Sequence, residues 1–136
     1  IMEDEVRASR DELIIMTDDG SYGEKGVVTV GIEKFINQEH IDKVFAIGPP
    51  IMMKFCCLLT QKYNLSTDVS LNTIMVDGTG MCGACRLPIG GKTKFVCIDG
   101  PEFDGAQVDW DEMFKRMGTF KDVEREEMER RKKLRM

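Results

Sequence analysis

The residues best suited to chemistry stand close together in one glycine-dense stretch. Cys82 and Cys85 form a C-x-x-C pair, Cys97 follows after a gap, and Asp77 precedes them, with Gly78, Gly80 and Gly83 interleaved. Thiolates are soft ligands that hold zinc or iron–sulfur clusters. Between Cys85 and Cys97 lies Gly90-Gly91, a two-residue hairpin turn flanked by Ile89 and Lys92. A hairpin closed at those glycines sets Cys97 opposite Ala84 and therefore beside both Cys82 and Cys85. Three thiolates are thus predicted to converge, and a fourth ligand is needed.

Spacing weighs against zinc. A structural zinc ribbon normally carries two C-x-x-C pairs on separate knuckles, and only one is present here. The bridging sulfides of an iron–sulfur cluster need hydrogen-bond donors, and a loop rich in glycine brings backbone N–H groups to close approach. Plant-type ferredoxins space their ligands C-x4-C-x2-C; those intervals survive here with Asp77 in the first position. Asp77-Gly78 also reads as a plain turn, since both residues favour turns. A thiol-redox role for Cys82 and Cys85 would need no third Cys and would favour a helix amino end. A zinc-stabilised interaction domain without redox chemistry is the alternative from another functional class.

The elements that must position this loop follow from hydrophobic patterning. Leu13–Met16 is an apolar run closed by Thr17-Asp18-Asp19-Gly20, which predicts a buried strand and turn. Residues 29–38 carry Ile32, Phe35 and Ile36 at helical spacing, and Val44–Ile47 is a second buried strand. Gly48-Pro49-Pro50 breaks the chain, and Pro suits the first turn of an apolar-rich helix over 50–63. Strand, helix, strand, helix in this order predicts a parallel α/β sheet. A third strand is expected over 69–75. Residues 77–105 hold more than half of the chain's 13 Gly and three of its five Cys, so that stretch must turn repeatedly or wrap something. Asp109 with Glu112 makes a capping box for a short helix ending at Gly118. Residues 123–136 run from acidic to basic, with Glu126/Arg130, Glu127/Arg131 and Glu129/Lys133 spaced for i, i+4 pairs. No apolar stripe runs along this helix, which fits a solvated face or a docking surface for a partner subunit. Cys56 and Cys57 fall mid-helix among Phe55, Leu58 and Leu59 and are expected as core thiols. His40, the one histidine, is expected at the surface.

Composition limits the function classes. With 136 residues, 42% hydrophobic and 32% charged, the chain can bury a core. Its 19 Lys+Arg against 24 Asp+Glu give a net charge of −5, which argues against nucleic acid or an anionic membrane as the main partner. The apolar run over 44–53 is interrupted by Gly and Pro and is far too short for a membrane helix. An odd five Cys without a secretory signal points to a reducing, cytoplasmic setting. The chain begins with Ile1 rather than Met, and a piece of a longer polypeptide is expected.

The segment Asp77 to Cys85, with Cys97 and the Asp99-Gly100-Pro101-Glu102-Phe103 that follows, resembles the [2Fe–2S] module of dihydroorotate dehydrogenase B electron-transfer subunits. It resembles more closely the small subunit of NADH-dependent ferredoxin:NADP oxidoreductase, also called sulfide dehydrogenase, whose relatives are sometimes named hydrogenase subunits. In the first group the loop opens with Cys; in the second an Asp stands there, as Asp77 does. The resemblance implies Asp77, Cys82, Cys85 and Cys97 as metal ligands. It also implies an α/β chain with part of a ferredoxin-reductase-like NAD(P)-binding parallel sheet over 1–70, a Gly/Cys-rich β-hairpin [2Fe–2S] module over 71–105, and C-terminal helices over 106–136. In such flavoproteins the first loop faces the adenosine ribose and a C-G-P-x-x-M segment lies near the nicotinamide. By resemblance, Thr17, Asp18, Asp19, Ser21, Tyr22, Gly48 and Pro49 are then the cofactor-binding candidates. Ile47 replaces the Cys of that segment. Asp18 and Asp19 would accept a bond from a free 2′-hydroxyl and repel a 2′-phosphate, which favours NAD over NADP, although Lys25 and Arg10 lie near in sequence.

The implied activity is that of an NAD(P)-dependent FAD/[2Fe–2S] oxidoreductase subunit. Hydride reaches flavin and electrons leave singly through the cluster to a larger flavoprotein/iron–sulfur subunit. The flavin barrel and the phosphate loop of that family are absent from these residues, so the chain is not expected to hold FAD or to be active alone. By the family's strand order two further strands belong between Leu13–Met16 and Val44–Ile47. Unpaired edges there are expected to drive self-association or rearrangement near residues 1–45.

Overall fold

The structure, a computed structural model, describes residues 2–9 and 11–134; Ile1, Arg10, Arg135 and Met136 lie outside it, so the expectations touching Ile1 and Arg10 fall on undescribed positions. Helix α1 (Glu3–Ala8) leads to β1 (Met16–Thr17) and β2 (Glu24–Lys25), which pair in parallel as a sheet of two strands. Helix α2 (Val28–Gln38), β3 (Lys43–Ile47), α3 (Pro50–Lys62) and β4 (Ser66–Ser70) follow. Strands β3 and β4 pair in parallel from Lys43↔Ser66 to Ile47↔Ser70. The glycine-rich loop then enters the hairpin β5 (Arg86–Ile89) and β6 (Lys92–Phe95). A single helical turn, α4 (Val96–Asp99), precedes β7 (Glu102–Asp104), which pairs antiparallel with β4. Helices α5 (Trp110–Met117) and α6 (Lys121–Leu134) end the described chain. Among the described residues no helix is long and apolar enough to cross a membrane.

One core joins these parts. Helix α3 buries Met53, Cys56, Cys57, Leu59 and Thr60 on one face. Val69 of β4, Leu87 and Ile89 of β5, Val96 of α4 and Met113 of α5 complete the same cluster. A side chain as buried as Met53 contributes about 1.5–3 kcal/mol relative to exposure. Thr60 and Thr67 bring hydroxyls into this interior and satisfy each other across 2.6 Å, with the Cys56 carbonyl accepting a further bond from Thr60. Gly105 lies so close to the Cys57 sulfur that a Cβ there would collide with it at 2.3 Å and crowd the Thr67 carbonyl at 3.2 Å.

Several expectations shift. The run Leu13–Met16 forms no strand of the main sheet: only Met16 and Thr17 pair, and they pair with β2 rather than with β3. Met16 packs instead on α2, where Gly31 lets it approach. The third strand occupies Ser66–Ser70 rather than 69–75, because the Thr60–Thr67 bond makes the polar start of that segment a buried strand position. The hairpin turn at Gly90-Gly91 has the expected register, with Arg86 opposite Phe95. The ladder stops there, however, and Cys97 sits on α4 rather than across from Ala84. In α5 the Asp109 carboxylate accepts from the Glu112 N–H at 2.9 Å, the cap that ends at Gly118. On α6, Glu127 takes both Arg130 and Arg131, so Glu126/Arg130 is not formed and Glu129/Lys133 is absent from the ion pairs of the described residues. No residue of α6 is buried.

Candidate metal centre

The loop 77–85 is built from tight turns. Gly78, Gly80 and Gly83 all hold positive φ, 73°, 81° and 67°, which other residues adopt at a cost. At Gly80 space is also limiting: a Cβ would stand 2.5 Å from the Ile98 side chain. That close approach sets the loop against Ile98 of α4, beside Cys97. The Asp99 carboxylate accepts from the Phe95 N–H at 2.7 Å and fixes the turn that carries Cys97.

Four candidate donors result, and they fall into two pairs. Cys85 and Cys97 bring their sulfurs to 3.3 Å, unbonded. Two thiolates on one tetrahedral metal, each at about 2.3 Å, would stand about 3.8 Å apart, so this pair needs an adjustment of about half an ångström to share one ion. Asp77 lies beside Cys82: its carboxyl is held below the ordinary carboxylate range first by the Thr79 N–H, at 2.9 Å, and also by the Cys82 thiol and backbone. Cys82 in turn accepts from the Ala84 N–H at 3.4 Å. Cys85 is buried, Cys97 half-buried, and Cys82 exposed.

This arrangement corrects the expectation of one convergence point. Among the described residues no three His, Cys, Asp or Glu side chains close on a single metal-sized position. Zinc wants four donors around one point; two pairs separated along a loop suit two metal ions joined by bridging atoms. The donor chemistry therefore fits a [2Fe–2S] cluster.

Two residues that the sequence reading did not single out hold the loop from behind. Arg86 Nη1 donates to the Gly83 carbonyl at 2.9 Å, and Arg116 Nη2, from α5, donates to the Ala84 carbonyl at 2.9 Å. The sole sequence signal is a cation directly after the second Cys of the pair. Arg116 is distant in sequence and carries no such mark.

The nucleotide candidates are placed less tightly. Thr17 Oγ1 donates to the Tyr22 carbonyl at 2.7 Å, and the Ser21 N–H donates to Asp19 at 2.9 Å, which lowers the Asp19 pKa. Tyr22 donates through its hydroxyl to Glu3 of α1, and Asp18 is exposed. Gly48, at φ 156°, and Pro49 form the entry to α3, with Met52 against Gly48. Thus Thr17, Asp19, Ser21 and Tyr22 share one closed loop, while Gly48 and Pro49 lie on another. No hydrogen bond or ion pair joins the two loops among the described residues. Lys25 packs its stem on Gly20. Cys56 and Cys57 are buried, and burial pushes both thiols up, Cys57 to about 11. His40 is exposed beside Asp42.

Fold and donor set together define an α/β chain with a cysteine-bearing, glycine-rich loop whose chemistry suits an iron–sulfur cluster. Residues 72–109 match the family model described as the iron-sulfur cluster binding domain of dihydroorotate dehydrogenase B. A dihydroorotate dehydrogenase B (NAD(+)) electron transfer subunit homolog from Thermotoga maritima is 51% identical over 130 residues, covering 96% of this chain and 46% of the relative. A probable electron transfer subunit of the same enzyme from Methanocaldococcus jannaschii is 36% identical over 109 residues, covering 80% and 40%. A solved structure of NADH-dependent reduced ferredoxin-NADP oxidoreductase superposes with a TM-score of 0.83 at 49% identity, over 96% of this chain and 47% of that one. The chain is therefore similar over nearly its whole length to dihydroorotate dehydrogenase B electron-transfer subunits and their homologues, and residues 72–109 match their iron–sulfur cluster binding domain. It spans about half the length of the relatives it matches.

Proposed function

We propose that this chain is the iron–sulfur portion of an NAD(P)-dependent flavoprotein reductase subunit, in which Asp77 and Cys82 hold one iron of a [2Fe–2S] cluster and Cys85 and Cys97 the other. The observation that carries the reading is the approach of the Cys85 and Cys97 sulfurs to 3.3 Å, with Cys82 among the groups that lower the Asp77 pKa on the same loop. When bound, such a cluster accepts and returns one electron at a time. The chain's own residues have the remaining tasks. Ala84 points its N–H at the Cys82 sulfur, Asp99 fixes the turn bearing Cys97, and Cys85 is kept from water by the core.

The same reading places pyridine nucleotide at the loop Thr17–Tyr22 and at Gly48-Pro49, with FAD supplied by parts of the subunit outside these residues. The apolar rim formed by Val76, Met81 and Ile98, all more than half exposed beside the donors, suits a partner subunit that exchanges electrons with the cluster. Strand β3 has β4 on one side and no ladder partner on the other among the described residues, with Phe45 and Ile47 exposed on it. That edge is the surface through which the isolated chain would self-associate.

Anaerobic reconstitution with iron and sulfide, followed by metal, sulfide and visible-absorption analysis, tests the proposal. Two iron and two sulfide per chain with visible charge-transfer bands are expected. Stoichiometric zinc without colour would replace this reading with that of a zinc-stabilised interaction domain.

A further inference from the structure

Six arginines lie among the described residues, and four of them pair with carboxylates: Arg7 with Glu3, Arg125 with Asp122, and Arg130 and Arg131 with Glu127. Arg86 and Arg116 make no ion pair among the described residues. Both guanidiniums instead end on carbonyls of the loop between Cys82 and Cys85, each at 2.9 Å. In an acidic chain, two unneutralised cations are spent on two consecutive peptide groups.

The peptide that Arg86 engages joins Gly83 to Ala84. Its carbonyl accepts from the Arg86 guanidinium at 2.9 Å and from the Arg86 N–H at 3.3 Å, while its own N–H donates to the Cys82 sulfur at 3.4 Å. A cation on the carbonyl polarises the peptide and makes its N–H a stronger donor, because hydrogen bonds in a chain reinforce one another. Arg116 places its charge on the carbonyl of the next peptide, which joins Ala84 to Cys85. Arg116 is half-buried, so its charge is screened less by water than that of exposed Arg86.

We infer that Arg86 and Arg116 set the reduction potential of the cluster, holding it up by delivering positive charge through the Gly83 carbonyl to the Cys82 sulfur and, at the Ala84 carbonyl, to the peptide that enters Cys85. The inference rests on the cluster assignment proposed above. A [2Fe–2S] cluster with four singly charged ligands carries about −2 when oxidised and about −3 when reduced. Cations and strengthened N–H donors therefore stabilise the reduced form more than the oxidised form. Both arginines are positioning residues and touch no donor sulfur themselves.

The test is the midpoint potential of the reconstituted full chain, read by EPR during a redox titration, for the parent and for Arg86→Gln, Arg116→Gln, Arg86→Lys and Arg116→Lys. Each Gln variant is expected to lower the ratio of reduced to oxidised cluster at fixed potential at least tenfold, about 59 mV for a one-electron couple. The Lys variants, which keep the charge, are expected to recover most of that shift, whereas a purely structural role would make Lys and Gln alike. Parent-like midpoints in both Gln variants would overturn the inference, and so would equal shifts in Lys and Gln. Failure of both Gln variants to take up iron would also overturn it, by making the arginines folding determinants of the loop. If the parent chain itself takes up no iron, the cluster assignment fails first, and that outcome is read from iron content before any potential is measured.

Discussion

Asp77 separates a ligand from a turn residue. Its carboxylate accepts the Thr79 N–H at 2.9 Å, an Asx turn, and Cys82 is among the groups that lower its pKa, so the proposed ligand role and the turn role share one side chain. Asp77→Asn keeps an oxygen for the Thr79 N–H and so keeps the turn, but it removes the negative charge that binds iron. Asp77→Ala removes both, and Asp77→Cys restores a thiolate without the turn acceptor. Loss of a mere outer-shell partner of a metal ligand commonly costs 10- to 100-fold in affinity; loss of a ligand should exceed the lower bound easily. Iron release to a chelator is therefore expected to be at least tenfold faster in Asp77→Asn and Asp77→Ala than in the parent. Oxygen is a harder and weaker partner than sulfur for iron in a sulfur-rich site, so the Asp77 corner should be the first to open in air. Asp77→Cys is then expected to release iron more slowly than the parent. The assay is release followed by visible absorption under anaerobic conditions, with iron content measured at the start. Parent-like content and release in Asp77→Asn would show that the turn alone matters, and the fourth ligand would have to lie elsewhere.

Other outcomes follow from the same structure. Gly80→Ala places a methyl 2.5 Å from Ile98 at φ 81°; it should lower cluster content severely while far-UV circular dichroism stays near the parent's, and normal iron content would contradict the close packing of loop and α4. Cys57 has its thiol raised to about 11 by burial, so the unfolded chain ionises it first, near its ordinary value of about 8.5. Its contribution to stability is thus complete below that value and declines as pH rises toward 11. Urea midpoints should fall over this window, and less steeply in Cys57→Ala. The β3 edge, with Phe45 and Ile47 exposed, should make the isolated chain self-associate as concentration rises; light scattering that gives a monomer at high concentration would count against it, and Phe45→Lys should reduce any association seen.

Local signals in the sequence carried some elements well. Helix α3 begins at the proline that its composition marks, the hairpin turns at Gly90-Gly91, and α5 starts at the Asp109 cap. Each depends on residues adjacent in the chain. What escaped depends on distant partners. Only two residues at the end of the Leu13–Met16 run find a strand to pair with. The polar start of β4 is a core strand only because Thr60, on another element, satisfies Thr67. Strand β7 exists because β4 offers it an edge. The approach of Cys97 to Cys85 was legible from the hairpin glycines, but its place was not, because the short helix α4 moves Cys97 off the hairpin ladder. The two arginines behind the loop were invisible for a similar reason: a guanidinium on a carbonyl leaves no trace in spacing.

The central claim is that two irons are held by unlike pairs of ligands. Mössbauer spectroscopy of the oxidised chain reconstituted anaerobically with isotopically enriched iron tests it most directly. Two quadrupole doublets of equal area are expected, one for an all-sulfur iron on Cys85 and Cys97 and one, with the larger isomer shift, for an iron that has Asp77 oxygen beside Cys82. The second should merge with the first in Asp77→Cys. A single doublet in the parent chain, or a spectrum unchanged by Asp77→Cys, would contradict the account.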